Sequence, residues 1–360
     1  MSRPAARVFP SLPPAVYARR ARGALPFPLD QRTCALYSLA RHGLAKGVDR
    51  LGLAMGDEVL APAYHHGSEI EVYRRKGLGV RFYDATGTLE PDADELQSLL
   101  GPRVRALHLV HYLGFPQDAR RWRRWCDEHG ILLVEDAAQA WLAHEDGLPV
   151  GSSGELAIFS LYKTLGVPDG GAVVCSNDLP PPRGARRLRA ARLAKAHRSW
   201  VALRWPRLAY PRPQTFVSGG IPAGEFALGD EEAPPSLLTR WMLPRLLTAD
   251  VAGQRRRNYA TLHSELADCV PSPFDRLPPG ASPFAFPVET DAKEALLRSL
   301  ARVGVKALDF WSAAHPSLPE EGFPGAAARR RRTVGLPVHQ ELLPRHLELM
   351  TEVVAAHGSR

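Results

Sequence analysis

Two residues of this 360-residue chain stand where they could do chemistry together, Asp136 and Lys163. Asp136 closes the apolar run ILLVED (131–136), and Lys163 follows the apolar run that stops at Ser160 in FSLYKTLGVPDGG (159–171). In sheets of parallel strands, ligands bind beyond the carboxyl ends of the strands. A carboxylate and a lysine at two such ends therefore share one crevice. Taken singly, Asp136 reads equally well as a helix N-cap, and Lys163 reads as a solvated loop residue, since lysine is costly to bury. Taken together they suit pyridoxal phosphate. The amine forms a Schiff base with the aldehyde, and the carboxylate keeps the pyridine nitrogen protonated so that the ring accepts electrons from the substrate.

Other chemistries have less behind them. His65 and His66 are adjacent, but sequence neighbours rarely point the same way and no third metal ligand is evident. Cys34, Cys126, Cys175 and Cys269 are scattered without a C-x-x-C pair, so they read as reduced, mostly buried thiols. No G-x-G-x-x-G or P-loop follows a strand, which argues against a plain nucleotide-binding protein. The net charge is +8, much of it in RGARRLRAARLAKAHR (183–198) and ARRRR (328–332). No aromatic residue interleaves in the first block. Both blocks read as solvated helix faces rather than a nucleic-acid surface, or as a field for a phosphate-bearing substrate.

The elements that must position these residues alternate. Strands are expected within 58–64, 79–85, 104–114, 131–139, 155–162 and 170–176. Helices are expected over 31–46, capped by Asp30, and over 69–77, 91–101 and 116–130. Short, nearly all-apolar strands between helices indicate a parallel sheet covered on both faces. Prolines cluster at 180–182, 206–213 and 234–235. A long helix is then expected from near Ser236 through RRRNYATLHSEL, with strands at 283–289 and 305–311 and helices at 292–304 and 343–356. This is the pattern of a smaller α+β lobe. The hydrophobic content of 45% supplies a large core, and the 23% of charged residues is that of a globular chain. No apolar run reaches the length of a membrane span. The basic start is broken by prolines and lacks the apolar centre of a signal peptide. The expectation is a soluble, cytoplasmic protein.

Several segments bring a family resemblance. GDEVLAPAY (56–64), VHYLGFP (110–116), VEDAAQA (134–140), the block GLPVGSSGELAIFSLYKTLGVPDGGAVV (147–174) and LPVHQEL (336–342) resemble motifs of the DegT/StrS family of pyridoxal-phosphate-dependent aminotransferases. The resemblance begins near residue 30 and is most specific in the central block. It implies an aspartate-aminotransferase-like fold, known as fold type I. That fold has a three-layer α/β/α large domain with a mainly parallel sheet and a small C-terminal α+β domain. The expected boundaries are 1–24 for an N-terminal arm, 25–236 for the large domain and 237–360 for the small one.

Residue by residue, the resemblance implies that Lys163 is the Schiff-base lysine and proton shuttle, and that Asp136 pairs with the pyridinium. Gln139 would sit by the ring oxygen, and Ser160 would donate to the phosphate. His66 falls where the family stacks a ring on the cofactor. Thr33 and Cys34 would offer amides at a helix N-terminus to the phosphate, with Arg32 in place of a glycine. The family's asparagine-bearing G-x-N-x-R-M segment has no counterpart in 216–230. The resemblance further implies a homodimer that takes an amino group from glutamate or glutamine and passes it to a ketone or aldehyde, such as a nucleotide-linked keto sugar. A lyase or racemase using the same cofactor, and a non-catalytic relative with a nucleic-acid-binding basic surface, are the alternative readings.

Overall fold

The computed structural model describes the chain except residues 1, 2, 4, 22, 186, 187, 214–225, 248, 249, 320, 359 and 360. The first half alternates as expected. Its elements are β1 (Cys34–Tyr37), α1 (Ala40–Arg50), β2 (Glu58–Pro62), α2 (Ser68–Arg75), β3 (Gly79–Tyr83) and α3 (Ala93–Leu99). There follow β4 (Val104–Val110), α4 (Ala119–His129), β5 (Leu132–Asp136), β6 (Leu156–Ser160), the single turn α5 (Leu161–Thr164) and β7 (Gly171–Cys175). The seven strands form one sheet in the order β1-β7-β6-β5-β4-β2-β3. β7 runs antiparallel to both β1 and β6, and the other pairings are parallel.

Side chains alternate across this sheet. Val59 and Val134 enter a core with Leu44 and Val48 of α1 and Tyr73 of α2. Their neighbours Leu60 and Leu133 enter another with Leu96 of α3 and Trp122 of α4. A sheet buried on both faces needs strands apolar throughout, and β2 and β6 are buried at every position. The result is the expected three-layer stack.

The expected helix over 31–46 is wrong at its start. Cys34–Tyr37 is an edge strand paired with β7, and the helix begins only at Ala40. Asp30 caps nothing there. The apolar CALY run pairs its backbone with β7, and that tertiary pairing overrides the local helix signal.

The second half holds α6 (Ala190–Arg204), α7 (Leu237–Leu246), α8 (Val251–Leu266), β8 (Ala285–Glu289), α9 (Lys293–Arg302), β9 (Leu308–Asp309), α10 (Pro324–Arg332), β10 (Thr333–Pro337) and α11 (Pro344–Gly358). An antiparallel sheet in the order β8-β10-β9 lies within it. The single long helix expected from Ser236 is two helices. Ser236 caps α7 by accepting from the Leu238 amide, and the Asp250 carboxylate caps α8 by accepting from the Gly253 amide. The strand expected over 305–311 is likewise divided: Val305–Lys306 pairs with Ala6–Arg7 of the N-terminal arm, whereas β9 pairs with β10.

The second basic block departs from the solvated helix face expected of it. Arg330 is buried, and its guanidinium donates to the carbonyls of Ala63 (2.6 Å) and Trp311 (2.9 Å). Among the described residues no helix is long and apolar enough to cross a membrane.

Candidate active site

The carboxyl ends of β5 and β6 and the N-terminus of α1 open onto one pocket. Asp136, Gln139, Ser160, Lys163 and His66 all line it, so five of the eight residues expected to bind a cofactor lie together. β5 stops at Asp136 because the chain turns there. The Asp136 Oδ1 accepts from the Ala138 amide at 2.8 Å, and the Ala137 amide donates to the Ile158 carbonyl at 2.9 Å. The preceding acid of the VED run faces elsewhere, as alternation demands. Glu135 is fully buried and accepts from His111 Nε2 (3.0 Å) and from the amides of Gly151, Ser153 and Gly154. Burial alone would raise its carboxyl, but the His111 ring and those amides hold it below the ordinary carboxylate range. Of the two acids, Asp136 lines the pocket and Glu135 braces the 151–154 turn.

Lys163 sits on α5, the single turn that leaves β6. Its position is held from the second half of the chain. Arg255 of α8 donates to the carbonyls of Lys163 (3.1 Å) and Thr164 (2.9 Å), to the Pro283 carbonyl and to Gln340 Oε1. Gln340 in turn donates to the Thr164 carbonyl at 3.2 Å. Arg255 is buried, and desolvation lowers its guanidinium to about 9, so it stays cationic at neutral pH with carbonyls as its partners. The ammonium of Lys163 lies 5.9 Å from the Phe284 ring centre.

Gln139 is oriented by accepting the Leu113 amide at 2.8 Å. His66 makes edge contacts with Trp311 (6.0 Å, 79°) and Phe226 (6.2 Å, 87°), which stand the imidazole in the pocket wall. Beside it Glu69 accepts the His66 amide at 3.1 Å.

Arg32, Thr33 and Cys34 do not line the pocket. Arg32 is exposed and Cys34 belongs to β1, where burial pushes its thiol up to about 12. The helix N-terminus that reaches the pocket is that of α1, where Leu39, Ala40 and Arg41 line it opposite Ser160. The helix start that lies at the pocket is thus several residues beyond Arg32–Cys34, because residues 34–37 form the β1 strand. The paired glycines in the quoted loop now have a purpose. A Cβ on Gly171 would strike the backbone of Leu39 and Ala40, so its absence lets the helix end reach the sheet. Gly170, at φ 127°, adopts a left-handed conformation and donates its amide to the Ser38 carbonyl.

A second, more open cavity of about 510 Å³ adjoins the first and shares Phe9, Leu39, Arg41 and Tyr162 with it. Arg7, Arg41, Arg192 and Lys195 line it, and no carboxylate does among the described residues. Desolvation and the positive charges of Arg7, Lys306, Arg192 and Arg198 lower the Lys195 amine. Sequence reasoning saw the 183–198 block but could not bring it to the pocket mouth. It also missed Arg41, Glu69, Arg255 and Gln340. Gln340 alone had a signal, its place in LPVHQEL. The 216–230 segment expected near the missing asparagine lies largely outside the described residues.

Residues 30–201 match the sequence profile of the DegT/DnrJ/EryC1/StrS aminotransferase family. A dTDP-3-amino-3,4,6-trideoxy-alpha-D-glucose transaminase of Streptomyces venezuelae is 37% identical over 168 residues, 42% of this chain and 41% of that protein. A UDP-N-acetyl-3-dehydro-alpha-D-glucosamine 3-aminotransferase of Acidithiobacillus ferrooxidans is 30% identical over 178 residues, 47% of each chain. The chain thus matches under half the length of these curated relatives. The crystal structure of the aminotransferase TlmJ from Streptoalloteichus hindustanus superposes with a TM-score of 0.68 at 23% identity, covering 97% of this chain and 98% of that one. The fold is that of the aspartate-aminotransferase-like, fold type I enzymes. The segment 30–201, which carries Asp136, Gln139, Ser160 and Lys163, is similar to the DegT/DnrJ/EryC1/StrS aminotransferase family.

Proposed function

We propose that the protein is a pyridoxal-phosphate-dependent aminotransferase that moves an amino group from glutamate or glutamine to a keto sugar carried on a nucleotide. One observation carries the reading: a lysine amine, a carboxylate, a hydroxyl and a helix N-terminus converge on one pocket at the strand ends. That donor set matches the cofactor's aldehyde, ring nitrogen and phosphate in kind and number. When bound, pyridoxal phosphate supplies an aldehyde that condenses with amines and a ring that takes up electrons from the α-carbon.

Each protein group then has a definable task. Asp136 would hold a proton on the ring nitrogen through its carboxylate charge. Ser160, the amides of Leu39–Arg41 and the Arg41 guanidinium would hold the phosphate, where a helix end favours negative charge. The His66 imidazole would cover the ring face, and Gln139 would face its edge. Lys163 Nζ would hold the aldehyde end of the cofactor, and its amine would be the base that takes a proton from the donor's α-carbon and the acid that returns one to the acceptor's. The donor leaves as its keto acid and the acceptor leaves as an amine, so atoms balance over the two halves. The cationic cavity at the mouth supports a phosphate-bearing acceptor, as do the nucleotide sugars in the relatives' names.

We also read the large domain as 25–236 and the small one as 237–360, and the protein as a cytoplasmic homodimer. Exposed Tyr17, Leu188, Leu237 and Trp241 support the dimer, and sedimentation would measure it.

The direct test is the half-reaction. Loaded protein given glutamate should lose its yellow absorption and release 2-oxoglutarate and pyridoxamine phosphate. Borohydride should add the reduced cofactor's mass to the peptide holding Lys163. Lys163→Ala should abolish both. Retained turnover in that variant would sink the mechanism.

A further inference from the structure

We infer that His108 is a positioning residue that fixes the Asp136 carboxylate in the pocket by presenting it with an imidazole N–H from behind. This inference rests on the reading of Asp136 as the partner of the cofactor's ring nitrogen.

His108 lies on β4, next to β5 in the sheet, and pairs in register with Val134, two residues before Asp136. It is fully buried and outside the pocket lining. Its Nδ1 lies 2.8 Å from the Tyr73 hydroxyl of α2. Its Nε2 has no hydrogen-bond partner among the described residues and stands 3.7 Å from Asp136 Oδ2. An unpartnered buried nitrogen is uncommon, and this one is aimed at a carboxylate whose other oxygen already accepts the Ala138 amide.

The proton's place follows from what each alternative would orphan. Tyr73 is buried, and desolvation together with the Asp136 and Glu69 charges pushes its phenol above its usual range, so it remains a hydroxyl. If it accepted from Nδ1–H in a neutral ring, its own hydrogen would be stranded and an Nε2 lone pair would face a carboxylate. If it donates to Nδ1, Nε2 carries the hydrogen and points it at Asp136, and both contacts are favourable. The charged groups facing this ring are Asp136 from β5 and Glu69 from α2, both carboxylates. The chain Tyr73–His108–Asp136 therefore sets the rotation of the carboxylate and stabilises its charge without touching the cofactor.

The test uses His108→Leu, which removes the donor, His108→Gln, which restores an N–H of similar reach, and Tyr73→Phe, which frees the ring. The cofactor dissociation constant, read by visible absorption, should rise about 10-fold in His108→Leu, the scale seen when an outer partner of a ligating group is lost. His108→Gln should stay within about 3-fold of wild type, the difference between a retained and a lost donor. Equal loss in both, or no change in either, would overturn the proposal. Imidazole nitrogen spectra of the cofactor-free protein decide the contact separately. A proton on Nε2 whose signal moves in Asp136→Asn is expected, and a ring protonated only on Nδ1 overturns it. Should wild type take up no cofactor at all, the aminotransferase reading falls, while these spectra still judge His108.

Discussion

At the scale of single residues, the site depends on groups that never meet the substrate. Arg255 is the clearest case. Its guanidinium holds the carbonyls of Lys163 and Thr164, and Gln340 completes the arrangement. Removing a buried, hydrogen-bonded cation leaves several carbonyls unpaired, at about 2–4 kcal/mol. Arg255→Met should lower the melting temperature by several degrees and reduce the glutamate half-reaction more than cofactor binding, because the lysine's backbone loses its anchor. Lysine cannot replace a fork that bonds four acceptors, so Arg255→Lys should recover only part of either quantity. A variant with unchanged half-reaction rate would show that α5 is held without this contact.

At the scale of elements, the reactive groups are brought together by where strands stop and one helix starts. The N-terminus of α1 reaches the pocket only because Gly171 has no side chain. Gly171→Ala should therefore push α1 away from Ser160 and weaken cofactor binding by about 10-fold, the effect of displacing one helix end by a fraction of an ångström. Equilibrium titration with pyridoxal phosphate checks this, and inorganic phosphate as competitor reports on the same end of the pocket. Gly43→Ala, which meets the Val173 side chain rather than backbone, provides the contrast. It should cost stability while leaving cofactor affinity within about 3-fold.

At the scale of the whole molecule, several histidines are buried neutral and make the fold sensitive to acid. Burial lowers His65 and His346 to about 4 and His339 to about 3, from the ordinary 6.5. Between those values and 6.5 the unfolded chain binds protons that the folded chain does not, so stability rises with pH through that window. The contribution is complete above about 6.5 and is lost progressively as pH falls towards 4. Melting temperature should accordingly be flat from pH 7 to 8 and fall steeply from 6.5 to 4. His346→Asn should reduce that slope. A melting temperature independent of pH across 4–6.5 would contradict neutral burial.

Most of the architecture was legible in the sequence, because apolar runs of strand length between capped helices leave few alternatives to a covered parallel sheet. The juxtaposition of Asp136 and Lys163 was legible for the same reason, since each lies at or just beyond a strand end, whereas Gln139 and Ser160, which line the same pocket, were singled out only through the family resemblance. What the tertiary structure decided has a common cause. The β1 strand exists because β7 pairs with it, the helix end at Leu39–Arg41 follows from that pairing, and Arg255 and Gln340 reach the Lys163–Thr164 turn from about 90 and 175 residues away. Burial of Arg330, the convergence of Arg7 and Lys195 on one cavity, and the approach of His108 to Asp136 likewise depend on which surfaces pack together. Local sequence sets the period of an element and where it breaks, whereas the partner of a buried polar group is chosen by the packing of distant segments.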